Sequence, residues 1–196
     1  YFWTIRTMHA PLFTLAEIAK NMPRVKMVHS ISTGYAGLLG AMVSDRYRIP
    51  YLISEHGIYT KERKIDLSQA QWIDDPEDQV SAALNDQLGY IRRLWIRFFE
   101  VVGRLAYQKA DSIVSLYSGN QTRQHQDGAS PEKTCIIPNG IDPERFREPR
   151  EQRSEAIPKV LGLVGRVVPI KDIKTFIRAM RSVSEQVPES EGWIVG

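Results

Sequence analysis

Five short apolar runs, at residues 26–31, 51–54, 112–116, 135–137 and 160–164, alternate along this chain with longer stretches of helical periodicity. Runs so short and nearly continuous read as strands buried on both faces. The helical stretches fall at 14–21, 34–46, 77–109, 119–127 and 172–185. Strand–helix alternation of this kind predicts an α/β protein with parallel sheets. No internal repeat or low-complexity segment interrupts the pattern.

The alternation changes character once. Pro138-Asn139-Gly140 is a turn signal, and residues 144–158 are charged, proline-containing and poor in apolar side chains. The expected division is therefore residues 1–140 as the later part of one lobe, 141–158 as an interdomain linker, and 159–196 as the start of a second lobe. The chain opens at Tyr1 and stops at Trp193-Ile194-Val195-Gly196, where a second strand of the last unit is finishing. It reads as a piece of a longer protein.

With 26 basic and 23 acidic residues the net charge is +3, too balanced to point to nucleic acid, which calls for a concentrated basic stripe. Any anionic partner must be gripped locally. A single cysteine, Cys135, allows neither a disulfide framework nor a Cys/His zinc spacing, and a reducing, cytoplasmic setting is expected. No apolar stretch approaches the ~18 residues of a transmembrane helix.

Several segments carry candidate chemistry. After the run 160–164, Gly165-Arg166 is followed five residues later by Lys171 and a helical pattern. A strand, a glycine turn and a helix start bearing two cations suit a phosphate group, with Gly165 letting the backbone come close. Local sequence alone also fits two surface cations at a strand–helix junction. His56 follows the run 51–54, and at the carboxyl end of a parallel strand it would face a ligand crevice, although a histidine beside glycine is also a common hydrogen-bonded structural residue. Glu55 could orient His56 or bind an acceptor. Ser32-Thr33-Gly34-Tyr35-Ala36-Gly37 joins a strand to a helix, where its hydroxyls are expected to cap that helix; Gly34 and Tyr35 are possible acceptor or sugar contacts. The acidic run 74–78 reads as a helix start, an aspartate cap with proline and acids in the first turn, rather than as a metal site. In the long helix, Ile91, Leu94, Trp95, Phe98, Val102 and Leu105 form the expected core stripe, with Arg93, Arg97, Glu100 and Arg104 on a solvated face.

Glu55-His56-Gly57 after a strand, Ile137-Pro138-Asn139-Gly140-Ile141-Asp142 with Phe146, and Val164-Gly165-Arg166 with Lys171-Asp172 occur in the order and spacing of family 4 glycosyltransferases. The chain resembles that family, whose fold is GT-B: two Rossmann-like lobes with parallel sheets. More narrowly, residues 32–37, 54–63 and 117–121 resemble the glycosyltransferases of Pel exopolysaccharide synthesis. The resemblance implies a retaining hexosyltransferase that draws on a nucleotide sugar, with UDP the implied nucleotide, and extends a polysaccharide without a metal or other cofactor. It assigns the donor diphosphate to Gly165, Arg166 and Lys171 and a donor-sugar contact at the reaction centre to His56. A polysaccharide acceptor and an inner-membrane synthesis and export complex are the implied partners. The family's paired glutamates would lie beyond Gly196, so residues 1–196 alone are expected to be inactive. A GT-B nucleotide-sugar epimerase and a non-catalytic sugar-nucleotide-binding subunit are the alternatives.

Overall fold

The computed structural model describes residues 2–73 and 89–196. The chain divides into two compact units, Tyr1–Gly140 and Ile141–Gly196.

In the first unit, helix α1 (Phe2–Asn21) leads into strand β1 (Val28–Ser30), α2 (Gly34–Tyr47), β2 (Tyr51–Glu55) and α3 (Tyr59–Gln69). Then come α4 (Tyr90–Lys109), β3 (Ser112–Ser115), α5 (Ser118–Asp127) and β4 (Thr134–Ile136). The strands form one sheet in the order β1-β2-β3-β4, every pair parallel. Sequential strands lie side by side, as the βαβ connections of a parallel sheet produce.

Burial alternates along the strands, as the two-residue period of a pleated chain requires. On β2 Tyr51, Ile53 and Glu55 are buried while Leu52 and Ser54 are half-buried, and on β3 Ile113 and Ser115 are buried while Val114 is half-buried. This corrects the expectation of strands covered on both faces: among the described residues the sheet is packed on one side and half-open on the other. The packed side holds a cluster of Ala41, Tyr51, Ile53, Ala106, Tyr107, Ala110, Ile113 and Ala129. A second cluster, Met8, Leu67, Ala70, Ile73, Trp95, Ile96 and Phe99, lies among the helices. Helix α4 contributes to both.

The register of α4 differs from the expected stripe. Trp95, Ile96, Phe99, Val102, Gly103, Ala106 and Tyr107 are buried, and Leu105 is exposed. The small residues Gly103 and Ala106 are what let this face sit close: a Cβ on Gly103 would come within 2.6 Å of Thr60. Counting large side chains alone therefore points the stripe slightly off the packed face. Arg93, Arg97 and Arg104 are exposed, as expected of a solvated face. The stretch 77–88 and the acidic run 74–78 lie outside the described residues.

Helix α1 begins at Phe2 rather than near residue 14, continuing through Pro11. Proline is unfavourable in a helix interior, but burial of Thr4 and Met8 anchors the turns before it. Helix α3 was not expected at all, because charges at 61–64 leave little amphipathic pattern there; Thr60 and Leu67 are its buried anchors.

Helix α2 ends on Arg48, in the left-handed region at φ 53°, ψ 50°. An L-residue there costs roughly 1–2 kcal/mol, and glycine is the usual occupant of such caps. Its ion pair with Asp45 is long, 3.7 Å, and exposed, so little is lost with it. Arg48→Gly is expected to stabilise the protein by about 0.5–1 kcal/mol, read as a higher urea midpoint at unchanged slope.

The second unit contains a short helix α6 (Arg147–Glu151), strand β5 (Val160–Val164), helix α7 (Ile173–Gln186) and strand β6 (Glu191–Val195). Residues 141–159 are all exposed. Strands β5 and β6 pair in parallel, Val160 opposite Glu191 through Val164 opposite Val195, with α7 as the crossover. Ile173, Phe176, Met180 and Val183 make the half-buried stripe of α7, and Met180 lies where a Cβ on Gly192 would be, 2.8 Å away. Here too the strands are not covered on both faces: Val164 and Trp193 are among their exposed residues. No helix among the described residues is long and apolar enough to cross a membrane.

Candidate functional site

The half-open face of the first sheet ends in a cavity of about 330 Å³ at the carboxyl ends of its strands. Leu52, Ser54 and Glu55 line it from β2 with His56 just past its end, Val114 from β3 with Leu116 just past its end, and Ile137, Pro138, Asn139 and Gly140 from the segment after β4. Open α/β sheets present ligand crevices at this edge. The cavity thus brings together His56 and the Pro-Asn-Gly turn, two segments far apart in sequence. Ser54 Oγ lies 2.9 Å from His29 Nε2 on the neighbouring strand. Neither residue stands out in the sequence, although both are polar positions inside otherwise apolar runs.

His56 is exposed, and its ring has no hydrogen-bond or charged partner among the described residues. Its backbone is held instead, its carbonyl accepting from Asn120 Nδ2 at 2.9 Å.

Glu55 lines the cavity, and its carboxylate is committed to partners within the fold. It is 1% exposed, with Oε1 accepting from Thr33 Oγ1 at 3.1 Å and Oε2 from Tyr107 OH at 2.5 Å and Gln124 Nε2 at 3.0 Å. The carboxylate faces inward and ties the ends of α2, α4 and α5 to the tip of β2. Burial, and then the negative charge of Glu55, pushes the Tyr107 hydroxyl far above its ordinary range, so it stays protonated and donates. Burial likewise pushes Tyr51 up to about 12; its hydroxyl donates to the Gly37 carbonyl at 2.9 Å.

The expected cap at residue 33 is also different. Thr33 occupies the N-cap position of α2 but makes no side-chain cap, because its hydroxyl is committed to Glu55. Gly34 and Tyr35 do not line the cavity. Gly34, at φ +71°, gives way to the Tyr59 ring. Tyr35 packs edge-on against Phe99 with centroids 5.5 Å apart, its hydroxyl reaching the Met8 carbonyl at 3.4 Å, and burial raises its pKa.

In the second unit Gly165 closes β5, its N–H donating to the Val195 carbonyl at 2.9 Å. A 3₁₀ turn, Pro169–Lys171, then brings Lys171 back over the glycine: its Cε lies 3.7 Å from where a Cβ on Gly165 would be. Asp172, at φ 46°, caps α7 by accepting from Thr175 N. Arg166 and Lys171 are both exposed, and neither enters an ion pair among the described residues. Two uncommitted cations therefore stand at the carboxyl end of β5 and the start of α7, where helix dipole and side-chain charge favour the same anion.

Each unit is α/β with a parallel sheet, the class of unit from which GT-B folds are built. Along most of its first unit the chain also matches a described family: residues 1–132 match "Domain of unknown function (DUF3492)", and the chain belongs to that family. Among solved structures it is similar to the crystal structure of Anabaena Alr3699/HepE in complex with UDP and glucose. That match has a TM-score of 0.51 at 20% identity and covers 92% of this chain and 42% of that one. The crystal structure of the same protein in complex with UDP matches with a TM-score of 0.45 at 20% identity, over 87% of this chain and 39% of that one. The chain thus spans less than half the length of the protein it resembles. No curated protein matches it.

Proposed function

We propose that the chain is part of a retaining glycosyltransferase of family 4, akin to PelF, that moves a hexosyl unit from a UDP-sugar to a growing exopolysaccharide without a metal. Arg166 and Lys171 bind the donor diphosphate, Gly165 lets the phosphates approach the backbone, and His56 contacts the donor sugar. The observation that carries this reading is the return of Lys171 over Gly165 beside Arg166, with both cations uncommitted. As the sugar departs, negative charge develops on the bridging phosphate oxygen. Cations already in place stabilise that charge more in the transition state than in the ground state. The fold shared with a protein crystallised with UDP agrees with the choice of nucleotide. Residues 1–140 serve as the acceptor-side lobe and 159–196 as the start of the nucleotide-sugar lobe, with the enzyme at work in the cytoplasm.

Calorimetric titration of the full-length protein with UDP-, GDP- and ADP-sugars tests this. A UDP-sugar is expected to bind best, and Arg166→Ala to weaken it by about 2 kcal/mol or more, the loss of a charge-assisted phosphate contact. Unchanged affinity in the variant, or no binding by any nucleotide sugar, would reject the donor-site assignment.

A further inference from the structure

The segment 117–121 has no part in the chemistry above, yet it supplies a side chain that hydrogen-bonds the His56 backbone. Asn120 and Gln124 lie one turn apart on α5, 7% and 0% exposed. Side chains at this spacing share a helix face. They grip consecutive residues of another element: Gln124 donates to the Glu55 carboxylate at 3.0 Å, and Asn120 donates to the His56 carbonyl at 2.9 Å. The opposite side of the Glu55 carboxylate is held by Thr33.

The His56 ring has no partner of its own among the described residues, so its place in the cavity is set by its backbone. We propose that Asn120 is a positioning residue, which fixes the His56 peptide at the carboxyl end of β2 and thereby aims the imidazole into the cavity. Gln124 and Glu55 immobilise the residue before it. The helix reads the strand end as a two-point clamp, one amide per residue, and a loosened clamp leaves the ring free to swing. This inference rests on the reading of His56 as a donor-sugar contact. Small displacements of a reacting group cost rate out of proportion to their size.

The test uses full-length protein with ¹³C-labelled histidine, the His56 ring signal being assigned by its loss in His56→Gln. Asn120→Ala removes the clamp; Asn120→Leu keeps its approximate size and removes the amide without adding a charge, which covers the case in which the alanine variant does not fold. In both, the His56 signal is expected to shift and broaden while those of His9 and His29 stay in place. Sugar transfer is expected to fall roughly tenfold or more, with donor KM changed by less than about threefold. Asn120→Ala added to His56→Ala should cost nothing further. An unmoved His56 signal, or a loss additive with that of His56→Ala, overturns the proposal, since a merely structural asparagine acts independently of the ring. If the ring signal moves but His56→Ala leaves transfer intact, the clamp stands and the donor-contact reading of His56 is what fails.

Discussion

Glu55→Ala is expected to destabilise the protein by about 4 kcal/mol, the range found when one partner of a buried polar cluster is removed. The carboxylate is the shared acceptor for three donors, Thr33, Tyr107 and Gln124, all at 1% exposure or less. Alanine leaves the three without that acceptor and opens a cavity between the sheet and its helices. Glu55→Gln separates charge from shape. It fills the same space but removes the charge and leaves one acceptor atom where the carboxylate had two, and about half the loss is expected. Urea unfolding of the three proteins measures both. A cost below about 1 kcal/mol for Glu55→Ala would mean that the donors find other acceptors and that the cluster does not hold the strand end.

The same cluster shows where sequence stops being informative. Parallel α/β architecture was legible because it rests on local periodicity: the apolar runs at 51–54, 112–116 and 160–164 coincide to within a residue with β2 (Tyr51–Glu55), β3 (Ser112–Ser115) and β5 (Val160–Val164). The partners of Glu55 stand 22, 52 and 69 residues away in the chain. No spacing rule groups them, and a lone glutamate before His-Gly could equally orient the histidine or bind an acceptor. A weaker signal was present in Asn120 and Gln124, two amides one turn apart on a helix with few apolar residues to bury. The other differences have local causes. Pro11 hid the first turns of α1, the charges of residues 61–64 hid α3, and Gly103 and Ala106 shifted the packed face of α4 away from Leu105. For the site, the sequence located His56 at a strand's carboxyl end and Arg166 with Lys171 around a glycine turn. The fold adds that Lys171 returns over Gly165, while it draws Gly34 and Tyr35 into packing among aromatic rings.

That packing makes Gly34→Ala the second large effect expected, a loss of about 3 kcal/mol from two sources. Gly34 has φ +71°, where a Cβ is strained in any surroundings. The added Cβ would also lie 2.4 Å from Tyr59 Cε1. Tyr59 cannot easily retreat: its ring packs edge-on against Phe99 at a centroid distance of 5.9 Å, and its hydroxyl accepts from Arg63 Nε at 3.2 Å. Relief must come instead from the start of α2, which would carry Thr33 away from Glu55 and slacken the cluster that holds the strand end. Gly140→Ala is the matched control, since nothing lies within 4 Å of its Cβ position, and it should fall within about 0.5 kcal/mol of the parent. Equal unfolding midpoints for the two variants would show that α2 can yield freely. The glycine after Thr33 would then be a matter of backbone convenience rather than the contact that seats β2 and His56.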